Sequence, residues 1–315
     1  MNSKKPLVSV VIPCHRHAHY LPEALDSVLH QTYENIETIV IDDGSPDRVK
    51  EVTDKYSRVK YYRQDNMGLA GARNTGFTLS LGDFILFLDA DDRLLSGGVE
   101  TNLSWLQRHA EYRCVTGQCV LIDTYGNPRK GRPPALPHRP NYEQFLRKNL
   151  IWNPGAVLYR RDLLSEMGGF DPTINATADW DLYLRISNAT CIGTHNVAVV
   201  EYRLHDNNMS GNPATMLRHT LTLFRKHAAH VKGNKAREEA YRAGRDHCRS
   251  AYGEGLLNYI GHMIITRTEW RKIITGMFIL LRFNPGILTY APFKKAIAAL
   301  LIRYRLLAKQ ENTRY

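Results

Sequence analysis

The sequence of 315 residues is 43% hydrophobic and 23% charged, with a formal net charge of +11, a composition typical of an ordinary globular protein. It disfavours a membrane-spanning protein, because the longest uncharged apolar run near the C-terminus, residues 273–281, is followed by Arg282 and is far shorter than the roughly 20 residues that a spanning helix needs. The first apolar run, residues 7–12, is too short for the core of a signal peptide. We therefore expect neither a transmembrane helix nor a signal peptide.

The positive charge is concentrated toward one end of the sequence. Residues 211–315 contain 19 Lys+Arg and 6 Asp+Glu, whereas residues 1–210 contain 23 Lys+Arg and 25 Asp+Glu. This asymmetry predicts a nearly neutral working domain over residues 1–210 and a basic region over residues 211–315. A basic region of this kind is expected to meet an anionic partner, either a membrane surface or nucleic acid.

The cysteines are five in number and show no CxxC spacing: Cys14, Cys114, Cys119, Cys191 and Cys248. Because the number is odd and no metal-binding or redox spacing is present, reduced thiols used for packing are the simplest interpretation. Reduced thiols are typical of a cytosolic compartment.

Apolar strands alternate with helical patterns through the first part of the sequence. Unbroken β-branched runs predict strands buried on both faces, and apolar residues at helical spacing predict helices between them. In chain order we expect strands over residues 8–13, over IETIVIDD, over residues 59–64 and over FILFLDADD. Between the first two strands we expect a helix with Pro22 in its first turn and an apolar stripe of Leu21, Ala24, Leu25, Val28 and Leu29. A second helix, over GLAGARNTGFTLS, is expected before the last strand. This alternation predicts an α/β fold, a Rossmann-like, mostly parallel sheet flanked by helices.

The rest of the sequence changes character twice. Residues 125–140 are rich in Pro, Gly and Arg and are predicted to form a loop. Then Leu182, Ile186 and Ala189 indicate a helix, and TCIGTHNVAVVEYRLH indicates one or two strands. After residue 211 only helical patterns occur, including two amphipathic stripes over residues 270–281 and 293–304.

Two of the predicted strands end in carboxylates. Asp42 and Asp43 follow one, and Asp89, Asp91 and Asp92 follow another. Because parallel sheets bind ligands at the carboxyl ends of their strands, we expect both clusters at one site. Alternate residues of a strand share a face, so Asp89 and Asp91 are predicted to point the same way and to suit Mg²⁺ or Mn²⁺, with open positions for phosphate oxygens.

The acidic cluster at residues 89–92 has three other interpretations. A lone DxD arises often by chance, which makes a solvated turn the default. A calcium loop is excluded, because Arg93 and Leu94 occupy positions that need an acid or amide and a glycine. The aspartyl nucleophile of a phosphatase-type α/β enzyme is disfavoured, because that family expects Thr or Val where Arg93 stands.

Several short motifs follow one another along residues 7–210: VSVVIPCHRHAHYLPEALDSVLHQTY, IVIDDGSPD, NMGLAGARNTG, FLDADD, GGFD and DWDLYLRI. Their order resembles family 2 of the glycosyltransferases, which have the GT-A fold. The resemblance implies an inverting enzyme that moves a sugar from a nucleotide-sugar, with a UDP-sugar expected, to a glycan or lipid-linked acceptor in polysaccharide or glycolipid biosynthesis. A non-catalytic sugar-nucleotide-binding or scaffold protein is the alternative.

The resemblance implies contacts with the nucleotide. An acid at the end of the IDDGS strand is expected to bind the base, and Asp43 is the better match, with Asp42 beside it. Arg73 is the natural charge for the base or the diphosphate. The other implied nucleotide-binding residues are Pro13, His15, Asn66, Gly68 and Asp89.

Roles in metal binding and sugar binding are also implied by the resemblance. A divalent ion, Mn²⁺ or Mg²⁺, is expected on Asp89, Asp91 and His205, where it bridges the diphosphate of the donor. Asp92 is expected to support the shape of the site. Residues near the sugar or acceptor are expected to be Gly168, Gly169 and Trp180.

The resemblance implies a general base that opens a helix. Direct displacement at the sugar carbon needs a base to deprotonate the acceptor hydroxyl. In the segment ADWDLYL the match is Asp179, and Asp181 is the alternative. The family usually has a second acid directly before the base, whereas this sequence has Ala178 at that position, which is a departure from the family pattern.

The two amphipathic stripes indicate which anionic partner the basic region meets. Lys and Arg flank both stripes, which favours an anionic membrane surface over packing against the catalytic domain. Nucleic acid is disfavoured, because no nucleic-acid-binding module is recognisable. We therefore expect a cytoplasmic protein, peripheral on the cytoplasmic face of the membrane; the sequence does not indicate an oligomeric state.

Overall fold

The computed structural model describes residues 5–131, 133–206, 208–266, 270–283 and 286. The chain divides into two compact units, and the second begins at Asn208. This break falls near the division between residues 210 and 211 that the sequence predicts. The catalytic role predicted for the first region and the anionic partner predicted for the second stay predictions.

A mixed sheet forms the centre of the first unit. Among the described residues its strands are β1 (Val8–Cys14), β2 (Ile36–Asp43), β3 (Val59–Gln64), β4 (Phe84–Phe87), β5 (Arg93–Leu94), β6 (Cys114–Ile122), β7 (Val157–Arg160) and β8 (Gly193–Arg203). Their order across the sheet is β3-β2-β1-β4-β7-β6-β8-β5. The pairs β1–β2, β1–β4, β2–β3 and β6–β8 are parallel, and β7 runs antiparallel to β4 and β6. The predicted mostly parallel α/β sheet is confirmed.

Helices flank this sheet. Their bounds are α1 (Leu21–Leu29), α2 (Val49–Thr53), α3 (Gly68–Leu79), α4 (Gly98–Arg108), α5 (Tyr142–Arg147), α6 (Arg161–Met167) and α7 (Ala178–Ala189), with 3₁₀ turns at Pro154–Ala156 and Asn175–Thr177. α1 begins with Pro22 in its first turn, where the missing N–H is not needed. Its buried residues join Val8, Val10 and Ile12 of β1 in one hydrophobic core, so the stripe read from the sequence explains how α1 packs.

The strand register aligns the carboxyl ends of three strands. Cys14 of β1 pairs with Asp42 of β2, and Val11 of β1 pairs with Phe87, the last residue of β4. The segments that follow β1, β2 and β4 therefore leave the sheet at the same edge. The predicted convergence of the two acidic clusters follows from this register.

The segment after β4 differs from the predicted strand. β4 ends at Phe87, and residues 89–92 form a turn in which the N–H of Asp92 donates to the carbonyl of Asp89 at 3.0 Å. We call residues 89–92 the acid turn. The strand predicted over FILFLDADD is thus correct only for Phe84–Phe87. Asp89, Asp91 and Asp92 are not in a strand, so the rule that alternate side chains share a face does not apply to them.

The described residues of the second unit are mostly helical. Its helices are α8 (Pro213–Val231), α9 (Lys235–Thr266) and α10 (Trp270–Phe283). α10 confirms the amphipathic helix predicted over residues 270–281, whereas the stripe over residues 293–304 lies outside the described residues. No helix in the described part of the chain is both long enough and apolar enough to cross a bilayer.

Candidate metal and nucleotide-sugar site

One carboxylate and two imidazoles meet at the carboxyl edge of the sheet. Nε2 of His205 lies 2.8 Å from Oδ2 of Asp91, and Nδ1 of His17 lies 3.8 Å from the same oxygen. The three ligand atoms lie within 4.8 Å of one another. Ligands on opposite sides of a divalent ion with bonds of about 2.1 Å are roughly 4.2 Å apart, and the two distances to Asp91, 2.8 and 3.8 Å, lie within that limit. We call these three residues the His–Asp cluster.

The surroundings of Asp91 favour its ionised form. The residue is 7% exposed, and burial by itself raises the pKa of its carboxyl. The hydrogen bond from His205 and the charge of His17 more than offset burial, so the pKa of Asp91 lies below its ordinary value. Tyr20 stacks on the His205 ring with 5.2 Å between ring centroids. The cluster therefore presents a negative ligand held in place by its neighbours.

Asp89 has a different partner from Asp91. Nη2 of Arg73, in α3, donates to Oδ1 of Asp89 at 2.7 Å. Arg73 is 2% exposed, its guanidinium lies 5.3 Å from the centroid of the Phe170 ring, and its buried Nε has no hydrogen-bond partner in the described structure. The expectation that Asp89 and Asp91 share a strand face is wrong, because the acid turn directs one carboxylate to Arg73 and the other to the imidazoles.

Asp92 supports the acid turn from the inside. It is 1% exposed; its Oδ1 accepts from the backbone N–H of Arg203 at 2.8 Å, and its Oδ2 accepts from Nδ2 of Asn153 at 2.5 Å. Burial and the neighbouring charges of Asp91 and Asp89 raise its pKa well above the ordinary value. Both of its oxygens are engaged by protein donors, which fits the supporting role expected from the sequence.

The side chain of Arg203 holds the backbone around the His–Asp cluster. It is fully buried, and its Nε donates to the carbonyl of Asp91 at 2.7 Å. Its Nη1 donates to the carbonyl of Thr124 at 3.0 Å, and its Nη2 donates to Oε2 of Glu23 at 2.7 Å. A single guanidinium thus links the acid turn, the loop after β6 and α1, and Glu23 balances its charge.

Asp179 lies in the first turn of α7 and is partly buried. Burial raises the pKa of its carboxyl, whereas the positive charge of Arg73 lowers it, and the result stays above the ordinary value. The charge of Asp89 also raises this pKa. Asp179, Arg73 and Asp89 therefore form one electrostatic group.

Asp181 is occupied by a structural contact. It is fully buried, and its Oδ2 accepts from Nε of Arg185 at 2.7 Å. The same guanidinium donates to the backbone carbonyls of Met167 and Gly169 at 2.6 and 2.7 Å. The pair fixes α7 to the end of α6, which separates Asp181 from Asp179 in role.

Asp42 is held by the fold. Its Oδ2 accepts from the hydroxyl of Tyr61 at 2.7 Å and from Nη1 of Arg63 at 2.5 Å, while its Oδ1 accepts from the backbone N–H of Ser45 at 2.8 Å. The carboxylate thus joins β2, β3 and the turn between β2 and α2. These contacts account for Asp42 without a ligand.

Asp43 lies beside two other residues predicted to bind the nucleotide. Its Oδ1 accepts from Nε2 of Gln64 and from the backbone N–H of Met67, at 2.7 and 2.8 Å. Nδ1 of His15 lies 3.0 Å from the carbonyl oxygen of Asp43 and 3.2 Å from Nδ2 of Asn66. Asp43, His15 and Asn66 are therefore brought together at the ends of β1, β2 and β3.

Pro13 and Gly68 have local structural explanations. Pro13 is buried within β1. Gly68 opens α3 with a φ of +76°, and a Cβ there would lie 2.5 Å from Nδ2 of Asn175, so only glycine fits this turn. Its backbone N–H donates to Oδ1 of Asn66 at 3.2 Å.

The residues predicted near the sugar also have structural partners. Gly168 ends α6 with a φ of +70°, and a Cβ on Gly169 would lie 2.5 Å from Oδ1 of Asn74. Trp180 is 3% exposed, and its Nε1 donates to the carbonyl of Phe145 at 2.8 Å. The indole of Trp180 is therefore buried and holds the end of α5.

Sequence reasoning missed two residues of this site. His17 lies in the segment HRHAHY after β1, and the density of histidines there was the available signal. Arg203 gives no such signal, because its partners Asp91 and Glu23 are 112 and 180 positions away.

Comparisons with known proteins agree with this architecture. A sequence profile of Glycosyl transferase family 2 matches residues 9–168. EpsJ, an uncharacterised glycosyltransferase of Bacillus subtilis, is 40% identical over 173 residues, 50% of this chain and 49% of EpsJ. An uncharacterised glycosyltransferase of Rickettsia typhi is 28% identical over 211 residues, 65% of this chain and 66% of that protein. The matches thus span about half to two thirds of these two relatives.

Solved structures show the same fold. TarS of S. aureus, residues 1–349, superposes with a TM-score of 0.60 at 15% identity, covering 82% of this chain and 80% of that 1–349 chain. The mannosyltransferase PcManGT of Pyrobaculum calidifontis, in complex with GDP-Man and Mn²⁺, gives a TM-score of 0.61 at 16% identity, covering 95% of this chain and 87% of that protein. The fold and the sequence match define a glycosyltransferase of the GT-A fold. The chain belongs to Glycosyl transferase family 2, and the resemblance noted in the sequence is confirmed.

Replacing Arg203 tests whether its guanidinium holds the acid turn. Arg203→Met keeps the length of the side chain but removes the donors to the carbonyls of Asp91 and Thr124, while Glu23 keeps its ion pair with Arg93. Because buried carbonyls lose their donor, we expect the free energy of unfolding to fall by about 1–3 kcal/mol, measured by chemical denaturation followed by circular dichroism. Arg48→Met removes an exposed pair with Glu51 and should have almost no effect. Equal stability of the two variants would contradict the role given to Arg203.

Proposed function

We propose that this protein transfers the sugar of a nucleotide-sugar, with a UDP-sugar as the leading candidate, to a hydroxyl group of a glycan or lipid-linked acceptor. The observation that carries the proposal is the His–Asp cluster next to the Arg73–Asp89 pair at the edge where β1, β2 and β4 end. A cation-binding cluster and a buried guanidinium at one sheet edge suit a ligand with a diphosphate.

The His–Asp cluster is the proposed metal site. A bound divalent ion would neutralise the charge that grows on the diphosphate as it leaves the sugar. Mg²⁺ strongly prefers oxygen ligands, whereas two imidazoles with one carboxylate suit a first-row transition ion. We therefore favour Mn²⁺ over Mg²⁺. Because Asp89 is paired with Arg73, we propose that it acts toward the donor and is secondary to Asp91 as a metal ligand.

The grouping of Asp43, His15 and Asn66 supports a site for the base of the donor. Their polar atoms lie at the same edge as the His–Asp cluster, as binding of one extended ligand requires. Two proteins of similar fold, TarS and PcManGT, are known in complexes with UDP-GlcNAc and GDP-Man, respectively. Their ligands support a nucleotide-sugar donor here, and the carboxylate of Asp43 is the proposed acceptor for a ring N–H of the base.

Asp179 is the proposed general base. A carboxylate with a raised pKa is a stronger base toward the acceptor hydroxyl once it is ionised. The charge of Arg73 keeps this pKa from rising further, which helps Asp179 to be ionised near neutral pH. Asp181 is not preferred, because its salt bridge with Arg185 already engages it.

Single substitutions separate metal binding from proton transfer. With a panel of nucleotide-sugars and Mn²⁺, the parent chain should release a nucleoside diphosphate from one donor. Asp91→Ala should lose metal-dependent donor binding, whereas Asp179→Asn should keep donor binding and lose turnover by about 10²-fold or more. Binding is measured by calorimetry and turnover by diphosphate release. Turnover by Asp179→Asn close to that of the parent would contradict the base assignment.

The outcome for the parent chain also decides whether the protein is an enzyme. Donor binding without turnover, with any donor and acceptor tested, would support the alternative of a non-catalytic sugar-nucleotide-binding protein. Absence of both turnover and metal-dependent binding of UDP would contradict the proposed function.

The pH dependence of activity tests the link between Arg73 and Asp179. The base must be ionised, so kcat/KM should fall as the pH drops through the raised pKa of Asp179. In Arg73→Gln the positive charge that lowers this pKa is lost, and the acidic limb of the profile should move to higher pH. Arg48→Gln, an exposed control, should leave the limb in place. An unmoved limb in Arg73→Gln would show that another group is titrating.

A further inference from the structure

Helix α10 exposes a row of large apolar side chains. Trp270, Ile274, Phe278 and Leu281 are 56%, 67%, 63% and 44% exposed. At about 100° per residue these four positions fall within an arc of roughly 80°. We call them the outer face of α10. Scattered apolar residues are normal on a protein surface, but a contiguous row marks an interaction site.

The outer face is not needed to fold the second unit. The opposite side of α10 carries Ile273 and Leu280, which are 3% and 0% exposed and join a hydrophobic cluster with Leu256 and Ile260 of α9. Gly276 allows close contact there, since a Cβ at this position would lie 3.0 Å from Cδ1 of Ile260. The helix is therefore anchored by one side and presents a second apolar side outward.

The charged residues of α10 are all basic. The other exposed positions of α10 are Arg271, Lys272, Thr275 and Arg282, and α10 contains no Asp or Glu. The surrounding region, residues 211–315, has 19 Lys+Arg against 6 Asp+Glu. On a helical projection the basic residues lie to one side of the apolar row, where long side chains can reach lipid headgroups while the row is buried.

We propose that the outer face of α10 inserts into the interface of an anionic lipid bilayer. An amphipathic helix with a basic flank and a Trp at its end has the composition of such an anchor. A second copy of this chain is a poorer occupant, because it would bring two strongly basic regions together. None of the four residues belongs to the proposed transfer site, so the inference does not depend on the proposed reaction.

Vesicle binding by the full chain tests this proposal. The parent chain should co-sediment with vesicles of phosphatidylcholine and phosphatidylglycerol and much less with vesicles of phosphatidylcholine alone, and binding should weaken as salt is added. Phe278→Gln should weaken binding to the mixed vesicles roughly tenfold, because it removes apolar area from the outer face. The matched control is Thr275→Gln, a change to the same side chain at an exposed position beside the row, and it should bind as the parent does.

Several results would overturn the proposal. Equal binding by Phe278→Gln and the parent would show that the outer face does not insert, and equal binding to both kinds of vesicle would remove the role of the basic flank. Because Phe278 is exposed, its substitution should leave the melting curve unchanged, which excludes unfolding as the cause of lost binding. If analytical ultracentrifugation showed that Phe278→Gln only separates dimers, with vesicle binding unchanged, the face would be an interface between copies.

Discussion

The crowding of three carboxylates within the four residues of the acid turn is the constraint on which the site depends. Two like charges about 4 Å apart repel by roughly 4 kcal/mol at an effective dielectric constant near 20. The protein relieves this repulsion by giving each carboxylate a different partner: Arg73, the imidazole of His205, or the donors of Arg203 and Asn153. The acid turn therefore contains a carboxylate paired with arginine, a carboxylate beside two imidazoles that we propose as a metal ligand, and a buried carboxylate held by protein donors.

The sequence predicted the strands and helices that build the edge of the sheet, because β-branched runs and apolar stripes are local signals. It extended β4 too far, since a strand pattern does not show where the last ladder hydrogen bond lies. It ranked Asp179 above Asp181 from the family resemblance alone, because both are acids in the first turn of α7; the structure adds the ion pair of Asp181 with Arg185.

The contacts between residues of the site were harder to predict from the sequence than the fold. The pairing of Arg73 with Asp89 and the approach of His17 to Asp91 join residues on different elements. Such contacts follow from strand order and register, which single-sequence patterns do not specify. The family resemblance supplied Asp91 and His205, and the structure adds His17 to them through geometry that a motif does not contain.

Calorimetric titration of UDP into the full chain tests the central claim, that a diphosphate binds here through an ion held by two imidazoles and one carboxylate. We expect binding in the presence of Mn²⁺, at least roughly tenfold weaker binding with Mg²⁺, and loss of binding when a chelator removes the ion. Binding of UDP with the same affinity under all three conditions would contradict it.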